Sequence, residues 1–255
     1  DCGLTYSDTL DITGVTSADP VVVTSNSHGL LDGDTVVIQD VTWVNATDAK
    51  YNVTVANHLS GSYLVANKTT HTFELKNLNG TDVDGSAFSA YVSGGTIYKA
   101  VTKMYGLHHL VGSELSILAD GNVVNDIVVA SDGTITLVES AGLVHAGLRY
   151  ISDVQSLGPP IINAAEVTGS QKKASNVMAE LVDTRGIQLG PNAFQLDPWR
   201  LREYEKEGEA TALFTGVRKI PIVSDYTREG RIFIRQFEPL PFTLLSLTPD
   251  YTAGG

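Results

Sequence analysis

The chain has 255 residues, 42% of them apolar and only 18% charged, with 17 basic against 29 acidic side chains for a net charge of −12. That length accommodates one large or two modest domains with a sizeable core. The acidic balance disfavours a duplex-gripping protein, the lone Cys2 excludes an intrachain disulfide, and no apolar run of about 18 residues offers a helical membrane span.

The low charge fraction and 24 glycines point to strands joined by tight turns. Residues 1–12 read as a short strand region. The opening Asp1-Cys2-Gly3-Leu4-Thr5-Tyr6 carries no signal-peptide pattern and looks like mid-strand sequence, so a fragment or processed chain is expected. From Thr13 to about Lys99 the composition shifts to Val, Thr, Asn and Gly, almost without Arg. Six short strands are predicted there, at Val21–Val23, Asp34–Ile38, Tyr51–Val55, Ser62–Val65, His71–Leu75 and Gly95–Tyr98. Their spacing suits a small antiparallel barrel or sandwich, with turns at Leu30–Gly33 and Asn77–Gly80.

Between Tyr105 and Tyr150, apolar residues alternate at period two. Strands are expected at Leu115–Ile117, Val123–Val129 and Ile135–Val138, with Asp120-Gly121 and Asp132-Gly133 as hairpin dipeptides. Residues 158–170, with Pro and Gly, suggest an exposed connection. Lys172–Val182 reads as a long strand with Val177, Ala179 and Leu181 on one side, and Thr184–Pro191 as turn-like. Residues 196–212 hold the densest charge and the one candidate helix, with Asp197 as cap and Pro198 in its first turn. Strands containing Phe214, Ile232–Ile234 and Leu240–Leu247 finish the chain.

No catalytic, metal or cofactor site is expected. The histidines are His28, His58, His71, His108, His109 and His145. A zinc site needs three or four converging ligands, whereas His108 and His109 are adjacent and diverge. His109 and His145 are expected to bond backbone at turns. Ser113, His145 and Asp120 could be assembled into a hydrolase triad, but no Gly-x-Ser-x-Gly elbow exposes a nucleophile. Asp82 and Asp84 could serve glycoside hydrolysis or calcium, yet both lie in a Gly-rich turn where Asp is ordinary. Asn45, Asn52, Asn67 and Asn79 head glycosylation patterns that arise by chance in a Thr/Asn-rich module. Lys172-Lys173 with Arg185, and Arg200 with Arg202, are the basic clusters, read as a solvated face or a subunit salt bridge. Trp43, Tyr63 and Tyr91 fit either a sugar-stacking face or cross-strand packing.

The string SNSHGLLDGDTVVIQDV, followed by YNVTV, THTFEL and YVSGGTIYK, resembles a small β-module of phage tail proteins, one also likened to the FCCH domain of ubiquitin-activating enzymes. Ser27-His28-Gly29-Leu30, Gly33-Asp34, Val36 and Ser93-Gly94-Gly95-Thr96 match its motifs. The likeness implies no ubiquitin chemistry, because those enzymes keep their catalytic cysteine outside the module.

The flanks, GLTYSDT at residues 3–9 and VTKMYGLHHLVGSELSILADG at 101–121, resemble two halves of a tail structural unit. So do Val144–Leu148, Tyr150, Asp153, Gln155–Leu157, and the closing Phe-Thr-Gly, Tyr-Thr-Arg-Glu-Gly-Arg and Pro-Leu-Pro-Phe-Thr segments. His108 stands where that family commonly has an acidic residue. Residues 1–12 and about 100–250 are thereby similar to the C-terminal part of the tail tube or nozzle subunit of short-tailed phages.

The resemblance implies an all-β chain of two β-rich domains with little helix. A module at 13–99 would be inserted into a discontinuous sandwich- or barrel-like domain formed by 1–12 and 100–255. It also implies a non-enzymatic virion protein, made in the bacterial host cytoplasm, in a ring of sixfold symmetry around the DNA exit channel. Its partners would be copies of itself, neighbouring tail proteins and DNA passing without specific binding. The alternative is a carbohydrate-binding or host-recognition tail module that takes a host-surface sugar.

Overall fold

The structure, a computed structural model, describes residues 3–43, 59–159, 161–162, 165–166, 170–199 and 211–253. The expected strand at Tyr51–Val55, and residues 200–210 of the expected helix, lie outside the described residues. The strands are β1 Gly3–Ser7, β2 Thr9–Asp11, β3 Gly14–Val15, β4 Val22–Thr24, β5 Thr35–Trp43, β6 Gly61–Ala66, β7 Thr72–Lys76, β8 Tyr91–Lys99, β9 Val101–Met104, β10 Glu114–Ala119 and β11 Asn122–Val128. They continue with β12 Ile135–Ala141, β13 Leu143–Leu148, β14 Ser152–Gln155, β15 Ile161–Ile162, β16 Ala165–Glu166, β17 Lys172–Thr184, β18 Gln188–Asn192, β19 Gln195–Pro198, β20 Phe214–Pro221, β21 Phe233–Gln236 and β22 Thr243–Ala253. A single 3-10 turn, His108–Leu110, is the only helical segment among the described residues. The fold is all-β.

The chain divides into two compact units, residues 1–113 with 127–147, and residues 114–126 with 148–255. The 13–99 stretch falls wholly within the first. Its core is a seven-stranded antiparallel sheet in the order β2-β8-β5-β6-β7-β4-β3. Because β2 and β3 belong to one segment, the sheet closes on itself. Asp11 pairs with Thr96 and the Ile12 amide donates to Gly95 O (3.0 Å), then the Thr13 amide donates to Thr24 O (2.8 Å) on the opposite end of the sheet. One segment thus switches partners between residues 12 and 13 and seals a small barrel, which removes both sheet edges. Alternation then decides what fills it: Val23, Val36, Ile38, Phe73, Leu75 and Ile97 are fully buried, with Ile12 and Leu30 beside them. The Lys99 amide donates to Asp8 O (2.9 Å) and Thr9 faces Tyr98, so it is residues 8 and 9, before the expected boundary at Thr13, that lie beside the end of the stretch.

Asp34 fastens the start of β5 to the end of β8. Its carboxylate accepts from the Leu31 amide (2.9 Å) and pairs with Lys99 Nζ (3.0 Å). Burial is the largest single influence on Asp34 and acts upward; the Leu31 amide and Lys99 together outweigh it and hold the group below the usual carboxylate range. A carboxylate depressed in this way stabilises the fold above its unfolded pKa, and that stability is lost as pH falls through the lower folded value. Asp34→Asn is therefore expected to cost about 0.5–1 kcal/mol at neutral pH. The difference from the parent should shrink in melts run below about pH 4; a deficit that stays constant into acid would disprove the charge argument.

Elsewhere in the first unit, β1 pairs with β13, so Gly3-Leu4-Thr5-Tyr6 faces Val144–Gly147, and β9 pairs with β12. That last pairing corrects one expectation. Asp132-Gly133 does not join neighbouring strands, because β12 leaves to pair with β9. The turn is held by Asp132 Oδ1, which accepts from Thr134 Oγ1 (2.7 Å), and by the Leu107 amide donating to Gly133 O (3.0 Å).

In the second unit, Asp120 and Gly121 both have positive φ (47° and 79°) in the tight turn between β10 and β11. Two further sheets run β14-β21-β18-β19 and β20-β17-β22, and β15 pairs with β16 within the expected connection. On β17, Val177, Ala179 and Leu181 are fully buried, packed with Ile187, Leu189, Ile220, Ile232 and Ile234. The proposed helix start is a strand instead. Asp197 pairs with Leu189 and Pro198 with Gln188 in β19, where the ladder to β18 outweighs the capping signal.

Candidate functional site

Most of the described titratable residues singled out in the sequence are tied into local structure. His28 is buried, and its Nδ1 accepts from the Leu30 amide (3.1 Å), turning the Ser27–Leu30 loop back on itself; the ring meets Phe73 edge-on at 5.1 Å. Accepting at Nδ1 places the neutral ring's proton on Nε2, which is buried and has no hydrogen-bond partner among the described residues. His71 is exposed, and its Nδ1 accepts from the Ser27 amide (3.1 Å), so both histidines brace the same loop. His108 covers Gly133 so closely that a Cβ there would lie 2.4 Å from its Nδ1. His109 is exposed on the 3-10 turn. His145 corrects an expectation: it sits on β13, and its Nδ1 bonds the side chain of Thr5 across the β1 pairing (2.9 Å) rather than backbone at a turn. His58 lies outside the described residues.

The hydrolase combination fares no better. His145 is engaged by Thr5, Asp120 forms the β10–β11 turn, and the Ser113 backbone closes a turn, its amide donating to Leu110 O while its carbonyl accepts from Val129. Among the described residues no three His, Cys, Asp or Glu side chains are grouped to hold a metal ion. Asp82 pairs with Lys76, and Asp84 accepts from the Ser86 amide (2.8 Å); hydrogen bonding from the Ser86 side chain first, and from its amide second, holds the Asp84 carboxyl below its usual range. Asn67 has φ 47° and donates to Glu74 (2.5 Å); Asn79 Oδ1 accepts from Thr81. Asn45 and Asn52 lie outside the described residues.

Trp43, Tyr63 and Tyr91 do not make a flat sugar platform. Trp43 is buried and meets Phe88 at 69° and Tyr91 at 87°, while Tyr63 and Tyr91 pack against the barrel core. The Tyr91 hydroxyl lies 2.9 Å from both Ile12 O and Gly94 O, pinning the segment that closes the barrel; burial raises its pKa.

The basic residues are also structural. Lys172 is buried with its Nζ donating to Arg228 O (2.9 Å), and Thr227 exchanges two backbone bonds with it, so this lysine anchors the Tyr226–Gly230 turn. Arg185 donates to the carbonyls of Gly121 and Thr211 and its own carbonyl accepts from Gln236 (2.6 Å). Arg200 and Arg202 lie outside the described residues. Asp153 and Arg235, directly opposite across β14 and β21, form a two-pronged pair at 2.8 Å in both arms; the arginine's hydrogen bonds draw the Asp153 carboxyl downward.

The second unit also exposes large apolar side chains. Phe194 (97%), Leu157 (87%), Val223 (78%) and Tyr150 (75%) stand in solvent in the single chain. Tyr150 and Leu157 enter the sequence reading only as part of the tail-protein resemblance, and none of the four is marked there as exposed, since exposure cannot be seen in residue type. The one available signal was Asn192-Ala193-Phe194-Gln195 between two strand runs, a turn with an aromatic in place of a polar residue. No protein-family model and no curated protein matches the chain.

Proposed function

We propose that the chain is a non-enzymatic structural part of a phage particle, a subunit of the tail nozzle or tube ring that forms the DNA exit conduit. The observation that carries this reading is the set of large apolar side chains left uncovered on the second unit, Phe194 on a tight turn and Tyr150, Leu157 and Val223 on loops beside the strands. Burying one such side chain gains about 1.5–3 kcal/mol, and surfaces of this kind mark protein contacts. The tethering of His28, His71, His145, Asp82, Asp84, Lys172 and Arg185 to local structure is consistent with scaffold work. A wall of net charge −12 repels phosphate, so DNA would slide and not adhere. The edge-on aromatics of the barrel count against the sugar-recognition alternative.

Locating the full-length protein in the particle by cryo-electron microscopy tests the assignment. Density for it in a ring around the channel is the expected result. Density only in a peripheral spike would overturn it.

A further inference from the structure

We propose that the Ser27–Leu30 loop of the barrel is an acid-released latch: two neutral imidazoles, His28 and His71, hold it shut, and protonating them lets it open. This device is independent of the ring-subunit reading.

A backbone amide can only donate, so an imidazole nitrogen that receives one carries no proton. His28 Nδ1 receives the Leu30 amide (3.1 Å), and His71 Nδ1 receives the Ser27 amide (3.1 Å). One ring belongs to the loop and the other to the turn before β7, yet both close the same short segment. In an imidazolium both nitrogens carry protons and neither accepts. Protonation therefore sets donor against donor at each contact, and both bonds are lost. At His28 the added charge is also buried, and its Nε2 has no hydrogen-bond partner among the described residues; a buried cation without partners is costly. Ser27 adds a pull toward release, because its φ of 51° is a left-handed conformation that a serine leaves once nothing holds it.

The charged groups of this corner are committed elsewhere. Asp32 and Asp34 follow the loop, Lys68 and Glu74 lie on the β6–β7 hairpin, and Lys99 ends β8. Asp34 accepts from the Leu31 amide and pairs with Lys99, Asp32 accepts from the Lys68 amide (3.0 Å), and Glu74 accepts from Asn67. None of them bonds either imidazole among the described residues. Ser27, Gly29 and Leu30 form one wall of a cleft of about 320 Å³, and Lys68, Thr69 and Thr70 form the other. Opening the loop reshapes that cleft. Because the shut loop excludes protons that the open loop binds, it loses stability as pH falls. Asp34, held below the usual carboxylate range, keeps its charge meanwhile.

Amide hydrogen exchange on the 255-residue chain, read as protection relative to unstructured peptide at each pH, tests the latch from about pH 7.5 to about pH 5, the span in which free imidazole takes up its proton. Protection of the Ser27 and Leu30 amides should fall about tenfold, as loss of one hydrogen bond requires. The Gly33 amide, which donates to Val65 O (2.9 Å) in the same corner, should keep its protection. His71→Gln, an exposed change, should lower Ser27 protection at the upper pH and abolish its pH response while the Leu30 response remains. Leu30 is read in the parent alone, since a substitution at buried His28 also removes packing against Phe73. Unchanged protection of both amides across the series would overturn the latch. An equal loss at Gly33 would show the barrel opening as a whole and would overturn a local release. A Ser27 response that survives His71→Gln would overturn the part given to His71.

Discussion

Gly190→Ala should destabilise the second unit by about 3 kcal/mol or more, among the larger effects open to a single methyl group. Gly190 sits in β18 where the chain begins its turn toward β19. A Cβ there would lie 1.7 Å from the Gln195 carbonyl oxygen and 2.8 Å from its carbon. Both are backbone atoms in the paired hairpin, so no side-chain rotation relieves the clash and the strands must separate. Gly29 is the control. Its φ is +65°, but nothing lies within 4 Å of its missing Cβ, so Gly29→Ala meets only the left-handed penalty of about 1–2 kcal/mol. Urea denaturation of the two variants compares a space limit with a dihedral limit. A Gly190→Ala loss no larger than that of Gly29→Ala would disprove the close approach.

Phe73→Ala should cost about 3–5 kcal/mol, the largest effect expected from the barrel. Phe73 is fully buried in β7, faces Val23 across the pairing with β4, and receives the edge of His28. Its removal leaves a cavity against strands that the barrel's closure prevents from collapsing inward. Phe73→Leu keeps most of the volume and should cost less than about 1.5 kcal/mol. Hydrogen exchange provides the readout: amides of β4, β6 and β7 should lose protection together in the alanine variant. Retained protection there would show that Phe73 does not hold the barrel together.

The strands were legible where period and turn chemistry agreed. Val177, Ala179 and Leu181 alternate along β17 as the apolar pattern requires, and Asp120-Gly121 forms its tight turn because only residues tolerant of positive φ fit there. The Asp197-Pro198 signal failed because capping chemistry is worth about 1 kcal/mol, less than a ladder to β18 supplies together with its packing. Asp132-Gly133 failed differently: a turn dipeptide specifies a reversal of the chain but not which strand the next one will pair with.

The candidate residues show the same division. Period two, glycine placement and the spacing of short apolar runs determined an all-β chain, because alternation is a local property written into each strand. Only the tertiary structure decided that residues 9–15 change partners and close the barrel, since that depends on hydrogen bonds between segments far apart in sequence. It alone tied His145 to Thr5, 140 residues away, and Arg185 to Gly121, 64 residues away. It alone left Phe194 in solvent while burying Phe73. The two residues are chemically identical, and their difference is set by which neighbours the fold brings to each.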